Sequence, residues 1–402
     1  MKRFLILFLL LLLGLSPSLD AQTPSKGIWL SREEIAALPV TGTAWSAMKA
    51  AADSAWGTPK LSDQNDPDNV LCLAGAFVYA RTGDASYRTK VINQVLRIPG
   101  SEDGGETLAL GRELAAYVIA ADLVGLPADK EPGFKAWLSG VRTKTLSGKT
   151  LISTSEHKQN NWGVICRYSR IVCAVYLDDA ADLARCAKIE RGWLGDHVAW
   201  NFSQDDFGDD LSWQSDPAHP VGINPKGALI QGHNVDGVLP DEERRAGSFV
   251  WPAPKTNYSW TGLEGALCSA WVLSRFGYAD IFNVQDKALL RAYTWLHQVN
   301  NYPAEGNDLV QIWIVNAVYG TNFPTKSPAP LSRAFGWTDW THSRPLTPDV
   351  PKDFAATFEF HYRADTKDWS SNRLSNDTSK PGIGSTPSTA LANWLQVNAG
   401  EP

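Results

Sequence analysis

Several patterns are missing from this chain, and each absence removes a class of protein. Lysine and arginine together number 37 against 43 aspartates and glutamates, a net charge of −6, and no basic stripe interrupts the balance. A nucleic-acid binder, which needs a concentrated positive face, is excluded; an acidic polymer would need a local basic groove. Cysteine is scarce and odd in number: Cys72, Cys166, Cys173, Cys186 and Cys268. Their spacing fits neither a zinc site nor a disulfide framework, and at least one thiol must stay unpaired within the chain. Most sit in apolar helical surroundings such as Val164-Ile165-Cys166, where cysteine serves as a small buried hydrophobe. Long β-type alternation is scarce, and no strict repeat marks a classical solenoid. The run from Phe4 to Leu15 is apolar but too short for a comfortable membrane span.

That run follows Met1-Lys2-Arg3 and precedes Leu19-Asp20-Ala21, the order of a secretory signal: basic start, apolar centre, small residue at the cut. Residues 1–21 are read as a signal peptide, with no cysteine just behind it to accept a lipid. The protein is expected in the periplasm or outside the cell, free of the membrane after cleavage. From residue 22 onward helical periodicity dominates. It predicts helices at 32–38, 44–56, 67–82, 86–97, 107–124, 132–146, 160–178, 180–190, 262–276, 284–299 and 308–318. Short connections such as Gly83-Asp84 pair them as hairpins. The expected fold is all-α: an incomplete (α/α) toroid or barrel over residues 22–365, with long irregular loops over a cleft. Residues 366–402, rich in Ser, Thr, Asn and Pro, are expected to form a partly flexible tail. The segment from 197 to 257 is irregular but carries Trp200, Phe202, Phe207, Trp213, Phe249 and Trp251, which argue for ordered packing. Tryptophan, at 17 residues, is abundant. Its flat apolar face suits sugar rings, and about half of these side chains are expected to fill the core instead.

Along this helical frame a set of polar residues arrives in order. Asn160-Asn161-Trp162 opens the 160–178 helix, His233 lies in Gln231-Gly232-His233-Asn234, and Tyr258 lies in Asn257-Tyr258-Ser259-Trp260. An amide, an imidazole and a phenol can remove a carbon-bound proton next to a carboxylate without a metal. On a uronic acid the carboxylate must be neutralised, a base must take the C5 proton, and an acid must protonate the oxygen leaving C4. Asn161, at a helix start where free N–H groups favour an anion, suits the first role. The alternative is that Asn160 or Asn161 is an N-cap, and the two neighbours can divide the tasks. His233, in a glycine-flanked loop, is a candidate base. Tyr258 precedes Thr261-Gly262-Leu263-Glu264, a capping box that predicts a helix start and places the phenol at a helix mouth. A phenol acting as base needs nearby cations. Arg244 and Arg245 can supply them and hold a carboxylate, or else form a solvated charge cluster with Asp241, Glu242 and Glu243. His157 can line the same cleft, and Trp162, Trp213 and Trp260 are candidate sugar contacts.

The order Asn160-Asn161-Trp162, His233, Tyr258 resembles that of the alginate lyase superfamily of α/α-toroid polysaccharide lyases. Within it the chain looks most like polysaccharide lyase family thirty-eight, whose members act on alginate or glucuronan. Gly111-Arg112-Glu113-Leu114 with Tyr117 and Asp122, Leu239-Pro240-Asp241-Glu242 with Arg244, and Gly336-Trp337-Thr338-Asp339-Trp340 extend the likeness over roughly residues 100 to 345. The resemblance implies that Asn161 neutralises the carboxylate. It makes His233 the base or a second neutraliser, and Tyr258 the acid or both acid and base. It also implies a catalytic arginine: Arg245 is the choice, Arg244 a binding neighbour, and Arg291 stays open because some relatives place the arginine after the tyrosine. One departure matters. Classical members carry Asn-Asn-His, and here Trp162 stands at the histidine's place, so the base must come from elsewhere. The implied activity is metal-independent β-elimination on a 1,4-linked uronic acid polymer, with no cofactor required, by a monomer or weak dimer. Mannuronate and glucuronate share a C4–C5 relationship that allows syn elimination through Tyr258 alone; guluronate requires an anti route and a base on the opposite face.

Two competing readings remain. A glycoside hydrolase on a similar helical frame needs two carboxylates at a defined separation, and Asp205, Asp206, Asp209, Asp210 and Asp216 supply many. The same run from Asp205 to Asp216 is alternatively a solvated loop or a structural calcium site. A non-catalytic glycan-binding protein would use the tryptophans as platforms.

Overall fold

The computed structural model describes residues 25–343 and the strands Glu359–Arg363 and Asp368–Asn372. In chain order the helices are α1 (Arg32–Ala36), α2 (Thr43–Asp53), α3 (Asp68–Thr82), α4 (Ala85–Val95), α5 (Thr107–Val124), α6 (Glu131–Val141) and α7 (Leu151–His157). They continue with α8 (Asn161–Tyr176), α9 (Ala180–Trp193), α10 (Pro240–Glu243), α11 (Asn257–Arg275), α12 (Val284–Thr294), α13 (Leu309–Tyr319) and α14 (Thr338–Thr341). Two short antiparallel hairpins complete the described residues: β1 (Leu229–Ile230) with β2 (His233–Asn234), and β3 (Glu359–Arg363) with β4 (Asp368–Asn372). The fold is all-α in character.

Burial sorts the helices into inner and outer members. Every residue of α5 is buried, and in α8 only Trp162 is not. A helix apolar on all sides belongs inside a protein. α3, α5, α8 and α11 pack one against the next in that order; α2 and α4 flank α3, and α7 and α9 flank α8. Two glycines let the inner helices approach closely. A Cβ at Gly111 would come within 2.9 Å of the Cys166 sulfur, and one at Gly265 within 2.7 Å of the Ile165 backbone nitrogen. Their chain neighbours Arg112 and Glu264 are thereby fixed beside the start of α8.

Buried ion pairs tie the layers together. Arg167 on α8 meets Glu190 on α9 at 2.8 Å with both side chains fully buried, and Arg170 meets Glu156 on α7 at 2.7 Å. The segment leading into α1 is held by Asp122, whose carboxylate accepts the Ser25 hydroxyl at 2.9 Å and the Lys26 backbone N–H at 2.6 Å. All five cysteines are free and buried, and burial pushes each thiol above its ordinary range.

Sequence periodicity placed the long helices within a few residues and missed shorter ones. α6 stops at Val141 and a separate α7 follows, because Ser147-Gly148 turns the chain through positive φ. α11 begins at Asn257, five residues before the expected start. Its cap is Thr256, whose hydroxyl accepts the Tyr258 N–H at 3.3 Å, and the Thr261 hydroxyl instead bonds back to the Asn257 carbonyl. Tyr258 thus lies in the first helical turn. The irregular segment before α11 is ordered as its aromatics suggested, with Phe202, Phe207 and Trp213 buried. The boundary at 365/366 falls between β3 and β4, which pair with each other. The expected signal peptide, residues 1–21, and the remainder of the 366–402 tail lie outside the described residues. Among the described residues no helix is long and apolar enough to cross a membrane.

Candidate active site

A cleft of about 520 Å³ opens where the starts of α8, α11 and α13 meet the middle of α5. Asn161, Arg245 and Tyr258 all line it, with Arg112, Lys255, Glu264, Asp308 and Arg333. Three of the four residues singled out for chemistry are therefore brought together from separate parts of the chain.

The asparagine pair divides its tasks. Asn160 is the N-cap of α8, its side-chain oxygen accepting the Trp162 N–H at 3.1 Å. Asn161 is 4% exposed, and its Oδ1 is buried without a hydrogen-bond partner. The unsatisfied oxygen is an acceptor; the amide nitrogen of the same side chain is the atom that can donate to an anion in the cleft. The arginine pair divides likewise. Arg244 pairs with Asp241 and packs where a side chain on Gly208 would collide with its guanidinium. Arg245 points into the cleft, its guanidinium carbon 4.1 Å from the centre of the Tyr258 ring. Tyr258 itself is 40% exposed, accessible to a ligand yet faced by a cation.

α10 holds this arrangement in place. Glu242 accepts the backbone N–H of Asn161, and Glu243 accepts the Ser259 hydroxyl at 2.7 Å. One four-residue helix thus grips the first turns of both α8 and α11, next to Asn161 and Tyr258. The Asp241-Glu242-Glu243 run is not a solvated cluster: all three are buried. Burial pushes the Glu242 carboxyl well above its usual range and the Glu243 carboxyl up to about 8.

The cleft gathers positive charge. Buried arginines elsewhere, such as Arg142, Arg167, Arg170 and Arg275, are matched to carboxylates. Arg112, Arg245, Lys255 and Arg333 line the cleft, and none forms an ion pair among the described residues. Two acids share the space. Burial raises both the Glu264 and Asp308 carboxyls, and Asp308, further raised by Glu264, reaches about 7. Four cations against two carboxyls give the cleft lining an excess of positive groups on a chain that is negative overall. Arg333, Lys255 and Asp308 were not marked by any sequence motif; their signal is the shared cavity.

The other candidates lie elsewhere. His233 is the first residue after the β1–β2 turn, where Gln231 and Gly232 both take positive φ. Its ring stacks on Trp251, with centroids 4.9 Å apart at 12°, and it does not line the cleft. His233 was expected to be the base or a second neutraliser; its ring lies against Trp251, away from the residues that line this cleft. Arg291 is taken up by Asp236 and the Asn224 carbonyl, and His157 pairs with Asp206 at 2.9 Å. Trp213 and Trp260 are fully buried, Trp213 donating to the Gly247 carbonyl at 2.9 Å and Trp260 packed against Tyr293 and His297. Neither can stack on a sugar. Trp162 is half-buried against the core, and among the described residues no tryptophan lines the cleft. Three carboxylates of the Asp205–Asp216 run serve their own turns: Asp206 accepts the Ser203 N–H, Asp210 the Ser212 N–H and Asp216 the Ala218 N–H. Among the described residues no three His, Cys, Asp or Glu side chains group as a metal site.

No protein-family profile matches this chain, and no curated protein matches its sequence.

Proposed function

We propose that this chain is a polysaccharide lyase, cleaving a 1,4-linked uronic acid polymer by β-elimination on an incomplete (α/α) toroid of helical hairpins, in the periplasm or outside the cell. The observation that carries the reading is the convergence of Asn161, Arg245 and Tyr258 in one cleft with unmatched positive charge. A uronate carboxylate drawn in by Arg245 and Lys255 meets the Asn161 amide at the start of α8, where helix N–H dipoles also favour an anion. That contact lets the charge released at C5 spread onto the carboxylate. Tyr258 supplies the proton transfers. Acting as phenolate, with the Arg245 guanidinium over its ring as countercharge, Tyr258 takes the C5 proton, and the phenol so formed gives that proton to the C4 oxygen as the C4–O bond breaks.

With His233 stacked on Trp251, Tyr258 is left to act at both steps. One residue on one face suits syn elimination, and this favours mannuronate or glucuronate polymers over guluronate. The test is to follow ultraviolet absorbance of the unsaturated uronate on polymannuronate, glucuronan and polyguluronate while measuring reducing ends. Absorbance and reducing ends rising together on either of the first two supports the reading. Reducing ends without absorbance would sink it.

That second outcome has its own structural basis. Glu264 and Asp308 place two carboxyls in the cleft, and the Asp308 value of about 7 is near that of a general acid. A hydrolase would use this pair rather than the loop aspartates first considered. Loss of reducing-end release in Asp308→Asn, with no absorbance in the wild type, would establish it.

A further inference from the structure

Two of the cleft's cations are not used by the elimination described above. Arg112 sits mid-helix on α5, 7% exposed, with its guanidinium held by the Gln64 side-chain oxygen at 2.6 Å. Arg333 comes from the loop between α13 and α14 and projects its exposed side chain from the same cavity wall. Arg112 forms no ion pair among the described residues, and a guanidinium withdrawn from water with incomplete countercharge is unfavourable unless something else matches it.

The placement of the pair is built. Asn69, fully buried on α3, donates its side-chain amide to the backbone carbonyl of Arg333 at 2.7 Å and to that of Arg112 at 3.4 Å. The same loop is fastened again one residue along α3, where the Trp337 indole donates to the Val70 carbonyl at 2.9 Å. A helix and a distant loop are thus locked together at the point where each offers a guanidinium. Glu264, buried and bonded to Ser332, lies close to both, so that two guanidinia share a single carboxyl. Arg245 and Lys255 come from a different segment, so the cleft carries two separate sources of positive charge.

We propose that Arg112 and Arg333, aligned by Asn69, form a second carboxylate-binding subsite that holds the uronate next to the one being cleaved. The cleft then recognises two consecutive acidic sugars, which separates a polyuronate from a chain with isolated uronates. This rests on the reading of the cleft as a uronate site. It assigns Arg112 and Arg333 to binding and specificity, and Asn69 to positioning.

The experiment compares wild type with Arg333→Gln, chosen because an exposed side chain can be changed without loss of the fold, and Arg112→Gln, checked by its melting temperature. Binding is measured by calorimetry with two probes: mannuronate or glucuronate tetramers, and the same tetramers with alternate carboxyls reduced to alcohols. Each protein is titrated in a Tyr258→Phe background, so that turnover neither consumes the probe nor adds heat. Wild type is expected to prefer the fully acidic tetramer by about tenfold or more, the scale of one charge-assisted hydrogen-bonded contact. Arg333→Gln is expected to lose most of that preference, raising KM on the polymer while kcat changes little. A merely structural arginine would weaken both tetramers equally. If Arg333→Gln and a folded Arg112→Gln both keep the full preference, the subsite is refuted while the elimination reading stands. If wild type binds neither tetramer and yields no unsaturated product, the uronate reading itself fails, and the subsite with it.

Discussion

Tyr258 and His233 were both candidates for the proton transfers, and their rings face different partners. Tyr258 meets a guanidinium and the cleft; His233 meets Trp251. His233→Ala is therefore expected to keep turnover within about tenfold of wild type, whereas removal of a group that transfers a proton in the transition state costs ~10²–10⁴-fold. A fall of the larger size in steady-state rates for His233→Ala would return the histidine to the mechanism. The asparagine pair offers a matched contrast. Asn160→Ala removes an N-cap and should cost about 1 kcal/mol of stability with turnover retained. Asn161→Ala removes no hydrogen bond of its side-chain oxygen and should leave the melting temperature nearly unchanged while turnover falls by ~10²-fold or more. Thermal melts and rates on both variants check this; the reverse pattern would mean the roles are exchanged. These assignments were half legible. Adjacent identical residues, Asn160-Asn161 or Arg244-Arg245, cannot be told apart by composition, because which one faces the cleft depends on the helix start and on Gly208 making room for Arg244.

α10 shows why short elements escape a periodicity reading. Four residues give no repeat, and Pro240-Asp241-Glu242-Glu243 is polar enough to pass for a solvated turn. Its burial follows from partners far away in sequence: the open N–H at Asn161 and the Ser259 hydroxyl. A side-chain oxygen at a helix N-terminus satisfies a donor that would otherwise be open. Glu242→Ala is expected to loosen the first turn of α8, lowering both melting temperature and kcat, while Glu242→Gln keeps an acceptor and most of the activity. Equal loss in the two variants would argue that Glu242 acts through charge rather than by holding Asn161. The long helices were readable because periodicity and caps agree over many residues. The start of α11 was misplaced because Thr261 mimics a cap, while Thr256, five residues earlier, makes the bond.

For the whole molecule, the buried acids set a pH dependence. Burial raises Glu113 to about 10, Glu243 to about 8 and Asp308 to about 7. Each keeps its proton in the folded chain at pH values where the unfolded chain has released it. Their contributions to stability are therefore present below the ordinary carboxylate range and are lost as pH rises toward each folded value. At the acid end the signs reverse. Burial would raise the Glu156 carboxyl, but hydrogen bonds from Arg185 and Arg170 outweigh it and hold the group near 2, so stability is lost as pH falls through the carboxylate range. His342, lowered by burial and Arg275 to about 3, acts in the same direction between its unfolded and folded values. Melting temperature is thus expected to peak at mildly acidic pH and to decline toward alkaline pH, with Glu113→Gln flattening the alkaline decline. A melting curve rising steadily from mildly acidic to alkaline pH would contradict this. None of it was visible in the net charge of −6, since burial, and not count, decides which carboxyls ionise.

The convergence of Asn161, Arg245 and Tyr258 is tested by product absorbance from polymannuronate and glucuronan, recorded for the wild-type chain beside Tyr258→Phe. The expected result is unsaturated product from the wild type on at least one polymer, and its loss in a Tyr258→Phe variant that folds and still binds. Unsaturated product formed at an undiminished rate by Tyr258→Phe would contradict the assignment of the proton transfers to this phenol.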